Sequence, residues 1–441
     1  MPVVGIRRED KSVWERRTPL VPDDVRALTE QGVRIQVERS PQRCFPDAEF
    51  AAAGAELVDG LAEAQTVLGV KEVPTDKLES GKTYMYFSHT IKGQPYNMPM
   101  LQRLLDLECT LLDYELVTDD DGVRTIAFGR HAGVAGAIDT LWALGQRWQR
   151  RGVETPFSAL HQALEYGELK SARLAIEAAG SALREGGLPE KCGPLVIGVT
   201  GAGGKVFGGA VEVLEYLPHR FVAPEDLAAE VRAHSGRARE ALIVGYGPEH
   251  LVEPARDGVE YSFPHYLENP GDYRACFGRH LPHLTAIVHG ILWAPGYPRF
   301  ILKEDLAALW SGPEAPKLEV ITDVTCDVGG SNEALDRTTE PGDPVYVFDP
   351  LTGEAPSGWD GRGPLIVAVD ILPTEIPLDS SRHFSEQLAP MVPHLARGVP
   401  DPGDTALPGS LRSGILVHRG RIVAPYDDAL RDALRQHGKG E

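Results

Sequence analysis

Leu195-Val196-Ile197-Gly198-Val199-Thr200 runs directly into Gly201-Ala202-Gly203-Gly204-Lys205-Val206-Phe207-Gly208-Gly209-Ala210, and this junction decides the fold. The first six residues read as a buried strand, and the run onward to Leu217 reads as a helix. Strand, glycine turn and helix in that order let the backbone approach a pyrophosphate. The first turn of the helix then offers unpaired N–H groups and the positive end of its dipole. The glycines do not keep the six-residue fingerprint spacing, since the last is displaced by two or three positions. The plain alternative is a tight turn with no ligand. Candidates for nucleotide contact are Gly201, Gly203, Gly204, Lys205, Val206 and Gly209.

Around this junction the chain alternates strand and helix. The next strand-like run, 220–223, ends on Ala223, where many NAD-binding proteins carry an acid for the ribose hydroxyls. The absent acid leans the expectation to NADP, with NAD as the alternative. Strands are expected at 285–291 and 318–322. The loop Asp323-Val324-Thr325-Cys326-Asp327-Val328-Gly329-Gly330 comes after the second of these, where ligands gather in open α/β sheets. Upstream, 132–150 reads as a long helix opening on Ala132-Gly133-Val134-Ala135-Gly136-Ala137. Small residues permit close approach to another helix or to a ligand. Ala132 and Gly133 are therefore nucleotide candidates beside the packing alternative.

The first 120 residues repeat the rhythm, with strands at 3–6, 33–37, 66–70, 83–87 and 110–112 and helices at 22–31, 45–53 and 98–107. This is the βαβ pattern of a parallel sheet covered on both faces, an α/β fold. Asp119-Asp120-Asp121-Gly122 reads as a hairpin turn. A helix is expected at 171–185, strands at 345–348 and 365–369, a helix from 379, an exposed loop at 398–409 and a last helix at 426–435.

Three constellations in the first ninety residues carry chemistry. Arg7-Arg8-Glu9-Asp10-Lys11 leads into Glu15-Arg16-Arg17, a cationic cluster suited to carboxylates. Gly69-Val70-Lys71-Glu72 and Phe87-Ser88-His89-Thr90 each end an apolar run on one ionisable residue. Lys71 and His89 are thus set to meet in a cleft as a proton-transfer pair. The plain readings are a solvated strand-end lysine, a hydrogen-bonded structural histidine, and arginines that pair with Glu9, Asp10 and Glu15 and do nothing more.

At 441 residues the chain is long enough for two or three domains, and its 42% apolar and 24% charged residues are those of an ordinary globular protein. A formal charge of −20 argues against nucleic-acid binding, though not against a small anionic substrate. Five scattered cysteines without a C-x-x-C suggest neither a metal site nor a disulfide framework. Neither a leader nor a membrane span is expected, which makes a cytoplasmic protein without membrane partners the expectation.

Seven segments taken together carry a resemblance: RREDKSVWERRTPLVP at 7–22, GVKEVP at 69–74, KTYMYFSHTIKGQ at 82–94, LLDYELV at 111–117, AFGRHAGVAGAID at 127–139, DVTCDVGGS at 323–331 and VDILP at 369–373. In these the chain resembles the saccharopine-forming lysine–2-oxoglutarate reductase family, the N-terminal half of bifunctional aminoadipic semialdehyde synthase. It is more distantly similar to fungal saccharopine dehydrogenases and alanine dehydrogenase. The resemblance implies two Rossmann-like domains with a central cleft. A substrate domain of residues 1–140 and 331–441 would receive an inserted dinucleotide-binding domain of residues 141–330. It implies Lys71 and His89 as the acid–base pair, Arg17 as a carboxylate grip aided by Arg8 or Lys11, Glu115 near the amine, and Asp327 near the nicotinamide. It further implies lysine, 2-oxoglutarate and saccharopine as ligands and NADP or NAD as cofactor. A homo-oligomer, and a separate glutamate-forming saccharopine dehydrogenase acting next, are expected partners. The loop GAGGKVFGGA departs from the family's approximate GxGNVSxGA and is one residue longer. Two rival readings stand: reductive amination of another 2-oxo acid and amine, of alanine-dehydrogenase or opine type, and a non-catalytic ligand-binding homologue.

Overall fold

The computed structural model describes residues 2–256, 258–403 and 407–437. The chain divides into two compact units, Met1–Phe128 with Pro377–Glu441, and Gly129–Ile376. The boundaries fall at 128/129 and 376/377, not at the expected 140/141 and 330/331. At the first, the long helix is a single element, Gly129–Arg150, whose opening turns pack on the helix Lys205–Leu214. At the second, Val345–Val347 and Leu365–Val367 pair into the sheet of the second unit, so residues 331–376 go with it.

The first unit holds an eight-stranded sheet. In spatial order its strands are Arg421–Ile422, Ile415–His418, Thr110–Asp113, Thr83–Phe87, Ala64–Lys71, Val3–Ile6, Arg34–Glu38 and Glu56–Val58. All pairings are parallel except those made by Ile415–His418, which runs antiparallel to both its neighbours. The chain leaves Val3–Ile6 toward one edge and comes back on its other side at Ala64–Lys71. This reversal is a topological switch point, and ligands bind beyond the carboxyl ends of the strands that flank one. Those ends lead into Arg7 and Lys71. The strand Ala64–Lys71 is buried without a break from Thr66 to Val70 and emerges again at Lys71, as a central parallel strand should. The helix Pro22–Glu30 starts on a proline, carries Asp23 and Asp24 in its first turn, and buries Pro22, Val25 and Leu28 at helical spacing.

The second unit holds a seven-stranded sheet in the order Val345–Val347, Leu365–Val367, Val320–Asp323, Ala286–His289, Leu195–Thr200, Ala241–Tyr246 and His219–Phe221. Only the pairing of Val345–Val347 is antiparallel. The glycine strand Leu195–Thr200 is central and fully buried. Its neighbour on one side is Ala241–Tyr246, in register from Leu195 opposite Ala241 to Thr200 opposite Tyr246. The strand that comes after the glycine helix in sequence, His219–Phe221, is displaced to the sheet edge.

Several expected elements form with shifted ends, such as Leu169–Gly186, Pro377–Leu388 and Asp427–His437. The expected turn at Asp119–Gly122 forms as a narrow hairpin, with Thr118 bridged to Arg124 and Gly122 at φ +75°. Glu56–Val58 and the hairpin Ile415–His418/Arg421–Ile422 were not expected. Of the expected 398–409 loop, residues 404–406 lie outside the described residues. No helix among the described residues is long and apolar enough to cross a membrane.

Candidate active site and nucleotide turn

In the first unit the segments after Val3–Ile6, Ala64–Lys71 and Thr83–Phe87 build one charged cluster. Its frame is Glu9. The Glu9 carboxylate accepts the backbone N–H of Val70 at 2.7 Å and of Lys71 at 3.0 Å, which fixes the end of the Lys71 strand. Arg7 crosses the same strand end, donating to Glu9 at 3.3 Å, to the carbonyls of Lys71 and Glu72 at 3.4 and 3.5 Å, and to Asp10. Gly69 makes this crossing possible: a Cβ there would lie 2.8 Å from Arg7 Cδ. Arg7 and Glu9 therefore support the site and are not free to meet substrate.

Arg17 is 4% exposed and Glu15 2%. Glu15 binds the guanidinium through both oxygens, at 2.8 Å to Nε and 2.6 Å to Nη2, and the cation lies 4.4 Å over the Phe128 ring. Nη1 keeps donor capacity for a carboxylate. Arg17 pairs with Glu15, and Arg7 with Glu9 and Asp10, as the plain reading of the cluster expects; Nη1 of Arg17 stays outside these pairs.

The Lys71 ammonium has no hydrogen-bond or ion-pair partner among the described residues. Burial and the charge of Arg17 push its pKa down, Lys11 adds to this, and Glu15 and Glu72 oppose it. The depression expected of a lysine acting as a base is thus present in direction. Across from it, Glu72 Oε1 takes Lys11 Nζ at 2.5 Å and faces His89 Nδ1 at 3.4 Å. Burial works against the Glu72 carboxylate, but His89 and Lys11 hold it ionised, with a pKa of about 2. His89 has φ +53°, a left-handed backbone unusual for a residue with a Cβ. Its carbonyl is held by Asn97 Nδ2 at 3.0 Å, its ring stacks on Phe87, and its side chain stays 28% exposed.

Glu115 is the middle residue of a short turn, Tyr114–Leu116, capped by Asp113, whose Oδ1 accepts the Glu115 N–H at 2.8 Å. Glu115 Oε1 lies 3.6 Å from Arg124, and Oε2 is buried with no partner among the described residues. Arg124 in turn lies over Phe87, the ring on which His89 stacks. Burial raises Asp113 to about 6, against the hydrogen bond it receives from Ser88.

The structure thus brings together Lys71, His89, Arg17 and Lys11, with Glu115 adjoining through Arg124 and Phe87. Arg8 is separate: it is exposed and paired with Glu38. Glu72 and Glu15 are the residues that reading the sequence undervalued. The signal for Glu72 was its place directly after Lys71; the signal for Glu15 was its spacing two residues before Arg17.

In the second unit, Gly201 and Gly203 take φ +80° and +85°, and Gly204 precedes the first helical residue, Lys205. The N–H groups of Gly201 and Ala202 bond to Tyr246 O, at 2.9 and 3.1 Å. A Cβ on Gly201 would meet Gly290 O at 3.0 Å, while one on Gly203 would meet nothing within 4 Å. Gly203 and Gly204 are exposed. Turn, open glycine and exposed first helical turn fit a pyrophosphate cradle at Gly201, Gly203, Gly204, Lys205 and Val206. Gly133 and Gly209 have another task. A Cβ on Gly133 would lie 2.0 Å from Val206 O, and one on Gly209 2.0 Å from Arg130 O. Both glycines serve helix–helix contact in place of the expected ligand contact, and Ala132 packs half-buried on the same apolar core.

The loop after Val320–Asp323 is organised by Asp323. Asp323 Oδ1 accepts the Thr325 N–H, the Thr325 hydroxyl and the Cys326 N–H, and Oδ2 accepts Asn332 Nδ2 at 2.9 Å. Asp327 is exposed on that loop. The His289 ring is satisfied on both sides, by Thr200 Oγ1 at 3.0 Å and Ser331 Oγ at 2.8 Å, in keeping with a structural role. Among the described residues no group of three or more His, Cys, Asp or Glu could hold a metal ion.

Residues 5–135 match the family model described as alanine dehydrogenase/PNT, N-terminal domain. The chain is 35% identical over 404 residues to the mouse (Mus musculus) protein named alpha-aminoadipic semialdehyde synthase, mitochondrial; the match covers 89% of this chain and 43% of that protein. The chain therefore spans less than half of that relative. It is 30% identical over 409 residues to saccharopine dehydrogenase [NAD(+), L-lysine-forming] of Emericella nidulans, covering 88% of this chain and 90% of that one. Among solved structures, an L-alanine dehydrogenase superposes with a TM-score of 0.62 at 17% identity, covering 99% of both chains. This likeness shows the two-domain Rossmann-like α/β fold.

Proposed function

The chain belongs to the saccharopine dehydrogenase, L-lysine-forming, family, and on that premise we propose that it is a nicotinamide-nucleotide-dependent oxidoreductase joining the ε-amine of L-lysine to 2-oxoglutarate to give saccharopine. The observation that carries the reading is the Lys71 amine: desolvated, without a partner among the described residues, and set among Arg17, Lys11 and a histidine held by Glu72.

The incoming amine must lose a proton before it can attack the ketone. Lys71, with its pKa depressed, is the base that takes it. Arg17 Nη1 and Lys11 receive substrate carboxylates, Arg17 in an orientation fixed by Glu15. The carbinolamine then loses water, which needs a proton delivered to its oxygen. His89 delivers it from Nε2, because the ionised Glu72 faces Nδ1 and fixes the ring. Glu115, with one oxygen that has no partner among the described residues, seats the amine. The nucleotide, when bound, supplies the hydride that reduces the imine. Gly201, Gly203, Gly204, Lys205 and Val206 are the residues we assign to hold its pyrophosphate. The expectation of NADP rests on Ala223, which follows the edge strand His219–Phe221 and not the strand beside the glycine strand. Five free cysteines favour a reducing compartment, and the cytoplasm is the one we propose; the mouse relative is named as mitochondrial.

The test is oxidation of the reduced nucleotide by purified protein with 2-oxoglutarate and a panel of amines. L-Lysine should support turnover, and Lys71→Met and His89→Gln should each lower kcat by about a hundredfold or more. Turnover with ammonia and not with lysine would instead favour an alanine-dehydrogenase-like activity. Nucleotide binding without turnover on any amine would favour a non-catalytic homologue.

A further inference from the structure

His89 stands at the tip of a turn whose flanking side chains point inward. Ser88 and Thr90 are wholly buried, while the His89 side chain stays 28% exposed. The Ser88 and Thr90 hydroxyls lie 2.6 Å apart, and the Thr90 N–H donates to Ser88 Oγ at 3.3 Å. These bonds draw together the residues on either side of His89 and close the chain into the left-handed conformation found there.

The turn is anchored from the neighbouring strand. Asp113, also wholly buried, ends Thr110–Asp113, which pairs with Thr83–Phe87. Its Oδ2 accepts the Ser88 hydroxyl, and its Oδ1 accepts the Glu115 N–H. Ser88 has a single proton and the carboxylate takes it, so Thr90 donates to Ser88. The hydroxyls therefore run in one direction, from Thr90 through Ser88 to Asp113, and each bond supports the next. An amide at 113 would still accept from Glu115, but it would donate to Ser88. That turns the row round and takes from the Thr90 proton its acceptor.

We propose that Asp113 is a positioning residue for the reaction, acting through Ser88 and Thr90 to place the His89 imidazole and through its other oxygen to hold Glu115 in step with it. The inference rests on His89 being the acid of the reaction proposed above. An acid works only within hydrogen-bond reach of the oxygen it serves, and a drift of about 1 Å costs up to about a hundredfold in rate.

The test is turnover of the full chain with 2-oxoglutarate, reduced nucleotide and lysine, alongside the proton–nitrogen NMR spectrum of the histidine side chains. In that spectrum His89 is the signal missing from His89→Gln. Thr90→Val keeps the shape of the side chain and removes only the hydroxyl. Thr90→Val and Asp113→Asn should each lower kcat by about tenfold or more and move or broaden the His89 signal, and Thr90→Ser should restore both. In the His89→Gln background Thr90→Val should change kcat by less than about twofold, because no imidazole is left to place. Wild-type kcat or an unmoved His89 signal in either variant would overturn the inference. An undiminished Thr90→Val loss in the His89→Gln background would overturn it too, since it marks a structural role alone. If no amine supports turnover, the proposed reaction fails. The His89 signal then decides the placement by itself, moved in both variants if Asp113 sets the turn and unmoved if it does not.

Discussion

Glu15 holds Arg17 through both carboxylate oxygens, in a pair almost wholly removed from water. The Coulombic attraction of Arg17 overcomes the burial penalty and keeps the Glu15 pKa below its usual value. Removing one partner of such a pair leaves an uncompensated buried charge. Glu15→Ala should cost about 3–5 kcal/mol, read as a fall in the urea midpoint, and Glu15→Gln less. Stability from this pair is fully present above the unfolded carboxyl pKa, near 4, and is lost as pH falls through the lower folded value. A Glu15→Ala protein as stable as wild type would show that the pair contributes nothing.

In the role of base proposed for it, Lys71 must be neutral, and the acid limb of the kcat/KM profile should report its depressed pKa. Lys11 is one of the cations that depress it, and it also occupies Glu72. Lys11→Met removes a like charge and frees an opposite one, so the acid limb should move to higher pH by about half a unit to one unit. A limb that stays in place would remove Lys71 from the role of base.

The close contact at Gly133 gives a packing prediction. Alanine is ordinarily the better helix former by about 0.5–1 kcal/mol. At this site its Cβ would fall on a backbone carbonyl of the neighbouring helix. Gly133→Ala should destabilise by about 2–3 kcal/mol, measured by urea unfolding. The nucleotide affinity of the folded protein should change little. Lost affinity at unchanged stability would restore Gly133 as a ligand contact.

Asp139 and Glu375 are buried carboxyl groups joined by a hydrogen bond in the second unit. Ala163 N–H bonds Asp139 at 2.8 Å, and Gln162 Nε2 bonds Glu375 at 2.8 Å. Desolvation raises Asp139 to about 6 and Glu375 well above the carboxyl range, its neighbour's charge adding to the effect. The folded state therefore holds protons that the unfolded state releases near pH 4. The stabilising contribution is complete below that value and declines as pH rises through about 6. Thermal midpoints should fall over this range, and Glu375→Gln should flatten the decline. Identical slopes in wild type and variant would disprove the shared proton.

The α/β rhythm, the glycine turn and the strand ends carrying Lys71 and His89 were legible because each depends on local pattern: apolar runs, glycine, and a charge closing a strand. Sheet order was not. Nothing within residues 219–223 reveals that this strand takes the edge while 241–246 takes the place beside the glycine strand, since the choice is made by pairing. The domain boundaries shifted for a similar reason, because the whole helix Gly129–Arg150 goes with the partner it packs on. Glu72 is not legible as a site residue from its own segment, because its value lies in two partners, Lys11 and His89, from separate segments. Gly133 and Gly209 show the converse: the small residues were visible, and only coordinates distinguish a neighbouring helix from a nucleotide.

His89 sits where the backbone itself would favour glycine. Holding a side chain there costs on the order of 1 kcal/mol or more, and the bond from Asn97 to its carbonyl maintains the conformation. Selection for heat resistance alone would therefore drift toward glycine at this position and yield a sturdier protein without the imidazole.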